Sequence, residues 1–217
     1  MIDKLARSYT NLGRAILRYP HAPWEDALSH GQLQSKAWAI NELLKLDRDL
    51  GMVYLVAGWL GTLPFMMAES ALRFSKIRSF DIDPACEEIA DQLNIESVMA
   101  EWRFKAITQD MFEIDYACHR YRIPVPRREM SIQVDRPDTI INTSCDHIAD
   151  FARWWSMIPA GKLVVLQNND FVDGGSDHVN TVGDLHALLT QAPMSTVLMQ
   201  GQLPLMKYNR FMVIGLK

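Results

Sequence analysis

Apolar residues recur along this chain in two rhythms. Short unbroken runs occupy residues 53–57, 104–108, 138–142, 162–167, 196–200 and 210–215, with one more ending at Asp81. These lengths suit strands, and the continuously apolar run at 162–167 suits one covered on both faces. Between the runs, apolar positions fall at steps of three and four, the helical period. Residues 3–18 place Leu5, Tyr9, Leu12 and Ile16 on one stripe, and Pro20 and Pro23 forbid continuation. A short helix over 24–30 is expected to break at Gly31, and a longer one over 35–46 carries Ala37, Ile40, Leu43 and Leu44, with Ser35 as its N-cap. Pro84 opens a helix running to residue 93. Further helices carry Ile148, Phe151, Ala152 and Trp155, and then residues 182–191. Residues 118–137, with Arg120, Arg122, Arg127, Arg128, Arg136 and three prolines, show neither rhythm and read as a basic loop, solvated or turned toward an acidic substrate.

Five strand–helix alternations followed by two strands predict an α/β fold of Rossmann type. The expected sheet has seven mostly parallel strands with an antiparallel last hairpin and helices on both faces. Residues 1–34 form a helical N-terminal extension and residues 35–217 the main domain. The first strand stops at Gly58 and Gly61, a helix follows, and the second strand ends in Asp-Ile-Asp-Pro, about 20 residues beyond the glycines, as a nucleoside-binding βαβ unit requires. The acid at that tip suits a pair of ribose hydroxyls.

Composition narrows the function classes. The 217 residues are 48% hydrophobic and 22% charged, with a formal net charge of −4 and a pI near 5.8. That balance argues against a general electrostatic grip on nucleic acid. No apolar run is long enough to span a bilayer and the N-terminus lacks a signal-peptide core, so a cytoplasmic protein without a membrane partner is expected. Three widely spaced cysteines speak against a disulfide framework or a structural zinc site.

The glycine loop after strand one, the acid after strand two, an Asp after strand three and the terminal hairpin together resemble the class I S-adenosylmethionine-dependent methyltransferases over residues 35–217. The resemblance implies S-adenosylmethionine as cofactor. It implies that Gly58 and Gly61 approach the cofactor with bare backbone, that Asp81 holds the ribose, that Ile82 packs on the adenine, and that Asp110 and Met111 meet the ring edge. The family loop reads Asp or Glu-x-Gly-x-Gly-x-Gly, whereas residues 56–61 read Val-Ala-Gly-Trp-Leu-Gly, without the acid and with Trp59 intruding. The Gly-x-x-Gly-x-Leu-Pro form of the loop also looks like the nicotianamine-synthase group, which transfers the aminobutanoyl portion of the same cofactor.

In an open parallel sheet ligands bind beyond the carboxyl ends of the strands, at the switch point. Residues 142–147, Asn-Thr-Ser-Cys-Asp-His, occupy that place. Asn142 is expected beside the cofactor. Asp146 and His147 are candidates to take a proton from the acceptor, with helix capping by Ser144 or Asp146 as the structural alternative. Cys145 reads as a small packed residue. The polar cluster after strand five, with Gln167, Asn168, His178 and also Tyr208, is expected to bind a small-molecule substrate. Asp146, His147, Asp170 and His178 lack the close spacing of a metal motif, so no metal is expected. Lys36 and Trp38 could lie over the nucleotide pocket, or Trp38 could simply pack.

Overall fold

The computed structural model describes residues 2–123, 130–172 and 178–217. Its main sheet contains β1 (Met52–Val56), β2 (Lys76–Asp81), β3 (Phe104–Thr108), β6 (Thr139–Asn142), β7 (Leu163–Asn169), β8 (Thr196–Pro204) and β9 (Asn209–Leu216), in the order β3-β2-β1-β6-β7-β9-β8. All neighbours are parallel except β9, which runs antiparallel to β7 and β8. This is the seven-stranded architecture expected from the alternation of runs. The strand order reverses between β1 and β6, and their carboxyl ends, Val56 and Asn142, lie side by side.

Alternation along each strand divides the core. Tyr54, Val56 and Phe80 face one apolar cluster, centred on Trp154 of α7 (Phe151–Met157). Val53, Leu55 and Ile77 face the other, under α3 (His30–Lys45) and α4 (Thr62–Glu69). The sheet is therefore covered on both sides, the condition under which parallel strands read as unbroken apolar runs.

Several boundaries differ from the sequence reading. Helix α3 starts at His30, capped by the Ser29 hydroxyl, which accepts the Gln32 N–H. Gly31 therefore lies inside the helix rather than breaking it. Ser35 is an interior residue whose hydroxyl donates back to the Gly31 carbonyl. The expected division at residues 34/35 thus falls mid-helix. In α1 (Ile2–Arg18) the buried positions are Ser8, Asn11 and Ala15, while Leu5 and Tyr9 remain exposed beside an apolar groove. No helix among the described residues is long and apolar enough to cross a membrane.

The largest departure lies in residues 118–137. Instead of an irregular loop, β4 (His119–Ile123) and β5 (Ser131–Asp135) pair as an antiparallel hairpin. His119, Tyr121 and Ile123 point inward while Arg120 and Arg122 point to solvent, a period-two pattern disguised by a polar inward residue. Arg127 and Arg128 lie outside the described residues. None of Arg120, Arg122 and Arg136 lines either cavity at the switch point.

Candidate functional site

Two cavities meet at the carboxyl edge of the sheet. The smaller, about 430 Å³, is lined by Leu55, Ala57, Gly58 and Trp59 after β1, Asp81 and Ile82 after β2, Met111, Thr143, Ser144, His147 and Ile148, with Gln32 and Lys36 of α3 along one side. The larger, about 570 Å³, shares Asp26, Gln32, Thr143, Ser144 and His147 with it. It adds Asp146, Asn169, His178, Tyr208 and Arg210.

The loop after β1 is unusual in its backbone. Ala57, Trp59 and Gly61 all adopt positive φ, at 52°, 49° and 74°, a region that costs a non-glycine residue roughly 1–2 kcal/mol. Left-handed residues at every second position repeat the Gly-x-Gly-x-Gly spacing, with Ala57 and Trp59 where glycines are usual and Leu55 in place of the acid. Gly58 is glycine for another reason. A Cβ there would sit 1.9 Å from the Ser79 hydroxyl of β2. At Gly61 a Cβ would meet Asn94 and Ala90 of α5 (Pro84–Leu93) and its vicinity, at 2.8 and 2.9 Å. Both glycines thus serve close packing of the βαβ unit. Gly58 also lines the smaller cavity, and Gly61 does not.

The Asp81 carboxylate ties this loop to the tip of β2. One oxygen accepts the Trp59 N–H at 2.8 Å and the other the Asp83 N–H at 3.1 Å. Burial raises its pKa above the ordinary value despite these bonds. Asp81 also lines the smaller cavity, and each carboxylate oxygen can accept a further hydrogen bond. Ile82 is 70% exposed at the rim. Asp110 caps the short turn Met111–Glu113 by accepting the Phe112 N–H, and it is Met111 that reaches the cavity.

Three expected ligand residues are placed elsewhere. Strand β7 continues two residues past the expected end at Gln167, through Asn169, with all seven of its residues buried, so Asn168 too belongs to the strand rather than to a loop. Gln167 Nε2 donates to the Ser35 carbonyl and Asn168 Nδ2 to the Asn180 carbonyl. These amides close backbone groups and do not line either cavity. Asn142 is fully buried below the cavity floor, with its oxygen accepting the Ser144 N–H at 2.8 Å. Thr143 and Ser144 form the surface instead.

The segment after β6 lies on the wall of the larger cavity, with Asp146 and His147 among its lining residues. Asp150, not Ser144 or Asp146, caps α7, so Asp146 is released from capping. Its carboxylate is 2% exposed, with one oxygen 3.3 Å from His147 Nε2 and 2.8 Å from His178 Nδ1, and the other 3.9 Å from the Arg210 guanidinium. The two imidazole rings lie 4.6 Å apart between centroids. Tyr208, at the far wall, accepts from Arg210 and tilts against Phe171. Cys145 is fully buried, and burial pushes its thiol well above the ordinary range, consistent with the packed role. Lys36, expected as one of two residues over the nucleotide pocket, lines the smaller cavity while Trp38 does not, and Asn169 and Arg210 line the larger one. Arg210 and Asn169 face each other across the β7–β9 pair, a juxtaposition visible only once β9 is placed beside β7.

Comparison with solved structures gives the following. Magnesium protoporphyrin IX methyltransferase from Synechocystis PCC 6803, with bound S-adenosylhomocysteine, superimposes with a TM-score of 0.60 at 14% identity, covering 89% of this chain and 92% of that one. The N-methyltransferase NodS from Bradyrhizobium japonicum WM9, in complex with the same compound, gives 0.59 at 10% identity over 96% and 98%. The chain has the class I methyltransferase fold. A geranyl diphosphate methyltransferase in complex with S-adenosylmethionine adds 0.54 at 10% identity, covering 83% of each chain. No family model matches the sequence, and no curated protein matches it either.

Proposed function

We propose that this chain is an S-adenosylmethionine-dependent methyltransferase acting on a small-molecule acceptor. The observation that carries the reading is the junction of the two cavities. A nucleoside-sized cavity at the switch point opens past Thr143, Ser144 and His147 onto a second, polar one. Solved structures of the same fold hold S-adenosylmethionine or S-adenosylhomocysteine, which supports the same ligand in the smaller cavity. Asp81 would accept the ribose hydroxyls, Ile82 and Met111 would flank the adenine, and the backbone at Gly58 and Trp59 would face the methionine portion.

In the reaction the acceptor heteroatom attacks the sulfonium methyl group, the S–CH3 bond breaks, and S-adenosylhomocysteine leaves as a neutral thioether. The acceptor gives up one proton in the larger cavity, whose wall carries Asp146, His147 and His178. The methyl is already activated, so alignment and deprotonation are the enzyme's main tasks.

Leu55 stands where the loop acid would orient the methionine portion, and Lys36 compensates from the opposite wall. Its ammonium is buried and bonded to Gln32 Oε1 at 2.6 Å. Burial, assisted by the nearby Arg210 charge and opposed by Asp26, lowers its pKa to about 8. A cation there suits the cofactor carboxylate. Calorimetric titration of the purified protein should show 1:1 binding of S-adenosylhomocysteine. Lys36→Met should weaken that binding about tenfold or more while leaving methylthioadenosine, which has no carboxylate, nearly unchanged. Equal losses for both ligands would remove Lys36 from this role. Failure of either ligand to bind the wild type, with NAD binding instead, would overturn the cofactor assignment itself. Chromatography of the spent cofactor completes the test, because methylthioadenosine as product would assign aminobutanoyl transfer or lyase chemistry in place of methyl transfer.

A further inference from the structure

We infer that Asp146, His147 and His178 form a binding site for a divalent transition-metal ion in the floor of the larger cleft. One ligand atom from each of the three lies within 4.8 Å of the others. Metal–ligand bonds of roughly 2.0–2.2 Å place neighbouring donors about 3.0–3.4 Å apart. Of the observed distances from Asp146 Oδ2, 3.3 Å to His147 Nε2 falls within that spacing and 2.8 Å to His178 Nδ1 just below it.

Two orphaned atoms carry the inference beyond proximity. His178 Nδ1 is buried and, although 2.8 Å from the carboxylate, is off the line that a hydrogen bond requires. Asp146 Oδ1 also has no hydrogen-bond partner among the described residues. Buried polar atoms left this way cost free energy; an ion held by Asp146 Oδ2 would satisfy His178 Nδ1, and bidentate ligation by Asp146 would engage Oδ1 as well. The guanidinium of Arg210, 3.9 Å from Asp146 Oδ1, keeps the carboxylate charge from being fully available and so moderates the affinity. Two imidazoles with one carboxylate favour zinc, cobalt, nickel or ferrous ions over magnesium or calcium, which prefer all-oxygen shells. Among the described residues three ligands are present, fewer than the coordination number of such ions, so positions remain for an acceptor.

This site deepens the methyl-transfer reading and rests on it for the choice of acceptor. An acceptor hydroxyl coordinated in an open position is acidified by the ion, as bound water is. Its proton then leaves to solvent through the open cleft, and the resulting oxyanion attacks the methyl group. The acceptor class is accordingly an alcohol, phenol or hydroxy acid. The binding claim needs no cofactor and is tested without one.

Tag-free protein stripped with a chelator is titrated with zinc by calorimetry and with cobalt by visible absorption. One equivalent of either ion should bind, and cobalt should develop d–d bands of a low-symmetry nitrogen–oxygen site. His178→Ala should raise the zinc dissociation constant by at least about tenfold. His147→Ala, at a more exposed position, serves as the second variant should the first fail to fold, with the same expected loss. Absence of saturable binding, or equal affinity in wild type and either folded variant, overturns the site. Stripped protein that still binds S-adenosylhomocysteine in that event would leave the methyltransferase reading standing, so the two failures are distinguishable.

Discussion

Replacing His147 by Ala is expected to lower turnover roughly 100-fold or more, with affinity for S-adenosylhomocysteine changed by no more than a few-fold. The expectation follows from geometry. The imidazole lines both cavities, and its Nε2 lies 3.3 Å from a carboxylate that is itself almost fully buried. A group at the junction of the two cavities stands beside the path along which methyl and proton must move in opposite senses. A 100-fold loss corresponds to about 2.7 kcal/mol of transition-state stabilisation, within reach of a single positioned group. The split between turnover and cofactor affinity is the informative readout, since cofactor contacts are assigned to Asp81, Met111 and Lys36 at other parts of the cavity wall. Turnover within a few-fold of wild type would remove His147 from the reaction and shift attention to Arg210, beside Asp146, and to Tyr208, which accepts its hydrogen bond.

The parts of the site that could be read from sequence are those whose chemistry depends on chain order. Asp81 and the pair Asp146–His147 follow strands that must end at the same sheet edge in a parallel arrangement, and the structure puts them there. The amide run after residue 166 misled because polarity alone cannot say where a strand stops. The strand runs on through Asn168 and Asn169, and the amides of Gln167 and Asn168 lie in the core, bonded to backbone carbonyls. The glycine loop misled in register. Counting back by twos from Gly61 marks Ala57 and Trp59 as the left-handed positions, whereas Gly58 attracts notice only by being glycine. Residues 118–137 were unreadable because the inward face of β4 is His119, Tyr121 and Ile123, and a histidine at the head of a strand breaks the apolar alternation that identifies one. Lys36 was legible only as one of two residues ahead of the first strand, and it is the course of α3 past the cavity that selects it over Trp38.

The hairpin that escaped the sequence reading also supplies the largest expected effect on stability. Asp135→Ala should destabilise the protein by about 3–5 kcal/mol, measured by denaturant or thermal unfolding. Arg78 lies in the middle of β2 with its side chain 1% exposed, and its Nε donates to Asp135 Oδ2 at 3.0 Å. Tyr121 of β4 hydrogen-bonds to the same carboxylate and to Arg78. One guanidinium nitrogen is further satisfied by the carbonyls of Ile77 and Trp102, at 3.1 and 2.8 Å. These carbonyls supply partial charge but not the full counter-charge, so removing Asp135 strands a cation beneath the hairpin. Water can reach the Asp135 side, at 13% exposure, which places the expected loss toward the lower end of the range. The double variant Arg78→Met/Asp135→Ala discriminates between causes. If the cost is the uncompensated charge, the double variant should be more stable than Asp135→Ala alone, because a buried pair replaced on both sides leaves no charge behind. A double variant as unstable as the single one would instead assign the loss to the hydrogen bonds that pin β4 and β5 against Tyr54 and Phe80, and a single-variant cost under about 1 kcal/mol would show the backbone carbonyls to be sufficient partners for Arg78.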